Sequence, residues 1–250
     1  MSLGKNAGSS AGPLDDAAAW PDQLRARVIT PGECPRVHGY EVESDLARHY
    51  GVSEYQLLCL TGELPAPEGA RAFEVASVFL GPVSVAHAST HAAVLSRLCG
   101  GRNSGTVGVA AIGLAEQARA LVAEHRALLD WLSHPDREFP SQYLAPGADP
   151  SVVRLQQALA AIPWPVPVLE RGPTRDAALL ATLWTLGLRR PQELEAAVVL
   201  ARLPGTLAEA FAERATNFAR YPINLPRFDY RDPLTPHSGA EGPAPQTIAD

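Results

Sequence analysis

Apolar and polar positions along this chain recur with the period of helices, and most helical stretches are bounded by recognisable start and stop residues. Ser44 can cap a short helix that Gly51 stops, Ser53 a second over residues 54–61 that Gly62 and Pro65 stop, and a third is expected over 67–80. Residues 83–98 and 106–132 come next, rich in alanine and small residues and parted by Gly100, Gly101 and Gly105. A helix apolar all round cannot face water, so each predicts a buried helix or one face of a tightly packed oligomer. After a proline-rich loop the helical period resumes near 151–162, 174–187, 191–201 and 205–220, while 163–167 carries too many prolines for helix. Strand character is confined to 25–30 and 36–37, which flank Pro31-Gly32-Glu33-Cys34, the residues of a turn between paired strands. The expected fold class is all-α with one short N-terminal β-hairpin.

The loop, residues 138–152, is where this pattern breaks most sharply. Three prolines, a glycine and the Asp149-Pro150 step exclude regular helix there, and Asp149-Pro150 can cap and start the helix that follows. A loop held between helices is where catalytic side chains commonly sit, although most such loops are plain connectors.

Composition removes several function classes. The 250 residues are 46% hydrophobic and 19% charged, with a net charge of −6 and both signs interspersed. No basic face is available to track phosphates, so nucleic acid is not an expected partner. No apolar run approaches the roughly 20 residues of a membrane span, and the first residues are small and polar, so the expected location is the cytoplasm. Residues 1–17 and 235–250, rich in Gly, Ser, Ala and Pro, are expected to be disordered. Cys34, Cys59 and Cys99 are odd in number and widely spaced, and read as reduced, partly buried thiols. His87 and His91 have the spacing of two ligands on one helical face, yet no third ligand accompanies them; hydrogen-bonded, partly buried histidines are the alternative.

A resemblance gathers these features. Gly39-Tyr40, Leu46, Ser53-Glu54-Tyr55, Leu57-Leu58 and Leu60-Thr61-Gly62-Glu63-Leu64-Pro65 resemble the amino-terminal pattern of citrate synthases and their short citryl-CoA-lyase-like relatives. The similarity continues through Gly81-Pro82, through residues 108–113, and from Arg202 and Gly205 to Leu225-Pro226 and Tyr230. It implies a helical fold with a large domain (18–118 and 203–234) and a small one (119–202) closing over a cleft, in a dimer of packed helices. It also implies carbon–carbon bond formation or cleavage beside a CoA thioester, with no further cofactor.

In that chemistry an aspartate removes a proton while histidines serve the thioester oxygen and the keto acid's carbonyl. Pro173-Thr174-Arg175-Asp176 resembles the start of the helix bearing the base, so Asp176 takes that role; charge stabilisation of a helix amino terminus is the structural alternative. Arg202 resembles an arginine that grips a substrate carboxylate, and Tyr230 belongs to the final motif, where Leu225 replaces an arginine. Glu116, Gln142 and Glu209 stand where the family has histidines. The resemblance thus implies either a catalytically degenerate protein or an active enzyme with an altered site and substrate. The first would be a non-catalytic subunit or acyl-CoA/carboxylate-binding partner, in a homodimer or beside an active family member.

Overall fold

The computed structural model describes residues 26–212. The terminal segments 1–17 and 235–250, and Leu225 to Tyr230, lie outside the described residues.

The chain enters through a small antiparallel sheet, β1 (Ile29–Thr30), β2 (Arg36–Val37) and β3 (Tyr40–Glu41), in that order. The first pair, Ile29 against Val37 and Thr30 against Arg36, is the expected hairpin. The third strand is an addition. His38 and Gly39, both at positive φ (49° and 88°), make a tight turn that lets Tyr40 fold back on Val37. A π-helical turn, Val42–Leu46, then leads into α1 (Ala47–His49).

The next two helices are α2 (Val52–Thr61) and α3 (Pro67–Leu80). Gly51, rather than Ser53, caps α2: its N–H donates to Glu54 Oε2 at 2.5 Å, while the Ser53 hydroxyl is spent on Glu74. Gly62 ends α2 at φ 84°, the left-handed position that glycine tolerates. Helix α4 (Ala88–Leu98) starts five residues later than expected because Ser84 holds the backbone in a turn. Its hydroxyl accepts from the Ala86 N–H and its carbonyl from the His87 N–H.

The expected single helix over 106–132 is two, α5 (Asn103–Glu124) and α6 (Arg126–Ser133), broken at His125. Helix α7 (Pro150–Leu159) is capped by Asp149, whose Oδ1 accepts from the Ser151 N–H at 2.8 Å. Helix α8 (Arg175–Thr185) is followed by α9 (Pro191–Ala212), which continues through Pro204 where two helices were expected. Packing holds it in place: Thr206, just beyond the proline, is fully buried and its hydroxyl is 3.5 Å from that of Thr90.

The main core gathers Phe73, Ala76 and Leu80 of α3, Leu155 and Leu159 of α7, and Leu194 and Val198 of α9 around α8. Every side chain of α8 from Ala177 to Trp184 is buried. A second cluster joins α4, α5 and α9 through Ala93, Val94, Ala110 and Ala210. Small residues permit this approach: a Cβ on Gly113 would lie 2.9 Å from Ser89 Cα. By length and composition α5 does reach the threshold for a membrane span, which the sequence reading had not anticipated, and only 28% of its most apolar stretch is buried. The three cysteines are free and exposed, not partly buried. Among the described residues no three of His, Cys, Asp and Glu gather as a metal site.

Candidate functional site

Three helix segments converge on Asp176. Thr174 is the extended cap of α8, placing Asp176 in its first turn, where the unpaired N–H groups favour a negative charge. Arg202 lies midway along α9, and the end of α3 closes in from the third side. There the backbones nearly touch, since a Cβ on Gly205 would sit 3.0 Å from the Gly81 carbonyl. Arg175 Nη2 donates to the Phe79 carbonyl at 2.5 Å, tying α8 to the last turn of α3.

The electrostatics follow from this convergence. Burial pushes the Arg202 guanidinium below its ordinary range, Asp176 acts to raise it, and Arg175 nearby lowers it further. The Arg202 Nε–H is buried and has no hydrogen-bond partner among the described residues. Nine-tenths or more of buried polar groups find one, and a guanidinium donor is chemically suited to an acceptor oxygen. Arg175 was missed in reading the sequence; its signal was only that a cation directly precedes the candidate base.

The proline-rich loop is stitched to the same place. Within it a single 3₁₀ turn, Ser141–Tyr143, carries Gln142. The Tyr143 carbonyl accepts from the Thr174 N–H at 2.7 Å, the Gly172 carbonyl accepts from the Ala145 N–H at 3.0 Å, and Leu144 bridges Pro173. These bonds bring the Gln142 segment against the entry to α8, an adjacency across some thirty residues that sequence spacing does not reveal. From below, the Tyr143 hydroxyl donates to the Glu124 carbonyl at 2.8 Å, and its ring stacks on His125 at 5.0 Å. His125, itself buried, bonds the Leu121 carbonyl through Nδ1 at 2.8 Å, and so sets both the α5–α6 break and the loop. The outer edge is held by Trp131, whose indole N–H donates to the Arg137 carbonyl and whose ring packs on Phe139 beneath Arg171.

The remaining sequence-predicted residues stand differently. Gln142 and Glu209 are exposed. Glu116 is also exposed, on α5, where Arg119 donates to its Oε2 at 2.8 and 3.1 Å. Tyr230 lies outside the described residues. The structure therefore brings together Asp176, Arg202 and, through the loop backbone, the Gln142 segment. Chemically this is a carboxylate that can accept a proton, in the field of the Arg202 guanidinium and next to Arg175, with the exposed Gln142 carried on the adjoining loop; its amide can donate hydrogen bonds but transfers no proton.

No protein-family model matches the sequence, and no curated protein matches it. Solved structures do match the fold. Citryl-CoA lyase from Hydrogenobacter thermophilus aligns with a TM-score of 0.61 at 16% identity, over 84% of this chain and 96% of that one. ATP citrate lyase from Methanothrix soehngenii, in complex with citrate and coenzyme A, aligns with a TM-score of 0.54 at 12% identity. That match covers 91% of this chain and 46% of the lyase, so the chain spans less than half the length of that protein. A mutant of ATP citrate lyase from Methanosaeta concilii, in complex with (3S)-citryl-CoA, aligns equally well. The fold is thus the helical fold of citryl-CoA lyase, as the sequence resemblance implied.

Proposed function

We propose that this protein is a citrate-synthase/citryl-CoA-lyase-like protein without standard catalysis, acting as a non-catalytic subunit or as a binding partner for acyl-CoA and di- or tricarboxylates. The observation that carries this reading is the Asp176–Arg202 pair: the base and the carboxylate grip stand together. The positions matched to the histidines hold an ion-paired Glu116 and an exposed Gln142. A carboxylate repels the enolate it should stabilise, and an amide moves no proton. Loss of acid–base help, about 10²–10⁴ in rate, and of an oxyanion donor, about 10²–10³, together removes roughly 5–9 kcal/mol of barrier lowering if the two effects add. Binding survives such losses better than turnover does.

In this reading the small domain spans 119–202, CoA enters as a ligand and no other cofactor is needed. The partner is a second copy or an active family member, with neither nucleic acid nor membrane engaged. The under-covered α5, with Val109 and Ile112 exposed, supports a helical partner there. The test is an assay of the purified chain with citryl-CoA, and with acetyl-CoA plus oxaloacetate, beside calorimetry with citrate and CoA. Binding without turnover is expected; turnover by the chain alone would defeat the proposal.

The retained Asp176 supports a second reading, an active lyase or synthase of altered substrate. Under it Asp176→Ala abolishes an activity that the wild type shows.

A further inference from the structure

The corner where α8 turns into α9 forms a bowl that the Asp176 site does not use. Trp184 lies in the last turn of α8, eight residues and so about 12 Å along the helix from Asp176. With the end of α5, the start of α6 and the first turns of α9 it encloses about 460 Å³, inside the roughly 300–1,000 Å³ of small-ligand sites.

Three guanidiniums, from Arg119, Arg126 and Arg189, line the bowl of a chain whose net charge is −6. Arg119 is spoken for: Glu116 takes two of its N–H bonds and Glu195 adds an attractive field. Arg126 and Arg189 have no carboxylate at ion-pair distance among the described residues. Arg189 lies over the Trp184 ring, 4.9 Å from its centroid. Trp184 is 8% exposed, and its indole N–H is buried without an acceptor among the described residues. Such a donor calls for an explanation, and an acceptor brought by a ligand is one. Leu129 and Pro191 continue the wall as apolar surface.

The ligand's charge can be narrowed further. Asp130 and Glu195 share the lining, and their repulsion disfavours a second or third negative charge. One carboxylate satisfies the two free guanidiniums; an apolar body suits the remaining wall.

We propose that this bowl binds a small organic monocarboxylate with an apolar or aromatic body, its oxygens on Arg126 and Arg189 and within reach of the Trp184 indole N–H as Arg189 shifts to receive them. The site is independent of the function proposed for Asp176.

The probe is phenylacetate, titrated at constant ionic strength into the full ¹⁵N-labelled chain while its indole N–H resonances are followed. Trp184→Phe assigns the relevant signal. The expected result is a saturable shift of the Trp184 resonance, weakened at least tenfold in the Arg126→Gln/Arg189→Gln double variant and changed less than twofold in Arg119→Gln. All three arginines are exposed, so these variants are expected to fold, and unchanged amide spectra away from the bowl check it. Neutral phenylacetamide should give no saturable shift. An unsaturable response, equal affinity in the double variant, or equally tight binding of inorganic phosphate would each overturn the proposal.

Discussion

At the scale of single residues, buried polar groups whose hydrogen bonds hold the fold differ from those with no partner among the described residues. Glu193 belongs to the first kind. Buried in the first turn of α9, it accepts the N–H of Arg189 and of Arg190 at 2.8 Å each and the Arg190 side-chain Nε–H at 2.6 Å. Burial works against its charge, but these donors outweigh it and hold the carboxyl below the usual carboxylate range. A depressed folded-state pKa contributes stability that is complete above the unfolded value, about 4.3, and is lost as pH falls through the folded value. Glu193→Gln is therefore expected to cost about 1 kcal/mol at pH 7, with the gap from wild type closing below about pH 4. Denaturant unfolding across that range measures it.

Arg202 is of the second kind. A largely buried guanidinium with an orphaned Nε–H is a poor contributor to stability. Arg202→Met should erase any citrate-induced rise in Tm, read by thermal unfolding with and without citrate. A retained citrate response would remove Arg202 from the binding site.

At the scale of elements, close approach between helices decides more than propensity does. Gly113 sits inside α5, where replacing glycine by alanine ordinarily gains about 1 kcal/mol. Here the new methyl would meet Ser89 Cα at 2.9 Å, and backbone cannot swing aside as a flexible side chain can. Gly113→Ala should therefore destabilise by about 1–3 kcal/mol, seen as a lower Tm. The loop supplies a second case. Removing the Tyr143 hydroxyl strands the Glu124 carbonyl and should cost about 1 kcal/mol. Hydrogen exchange is the sharper readout for Tyr143→Phe: the Thr174 and Ala145 amides, which join the loop to α8, should lose protection while the core of α8 keeps it.

At the scale of the whole molecule, the uncovered face of α5 has a consequence for assembly. Ile112 is 69% exposed on a helix whose most apolar stretch is only 28% buried. If a second helical partner covers it, Ile112→Glu should shift the sedimentation coefficient to that of a 26.6 kDa chain without lowering helical content. An unchanged particle size would place any interface elsewhere.

Much of this organisation was legible in the residues themselves. The Gly62 stop, the Asp149-Pro150 start, the hairpin and the all-helical character are local matters, fixed by φ preferences, missing donors and hydrophobic period, and the structure repeats them. The resemblance of the residues around Asp176 and Arg202 to family motifs is a reading of the sequence; the structure adds that α8 and α9 bring these two side chains into one another's field. Other features needed the assembled chain. Pro204 lies inside a continuous helix because Thr206 and Ala210 are buried against neighbours, a tertiary gain that local propensity does not contain. The break at His125 arises from a ring clamped between the Leu121 carbonyl and Tyr143, a residue eighteen positions away. The docking of the Gln142 loop on the entry to α8, and the meeting of Arg126, Arg189 and Trp184 around one bowl, join segments distant in sequence. The physical reason is that hydrogen-bond geometry and packing are properties of positions in space, and the chain's order sets those only after the helices have found their partners.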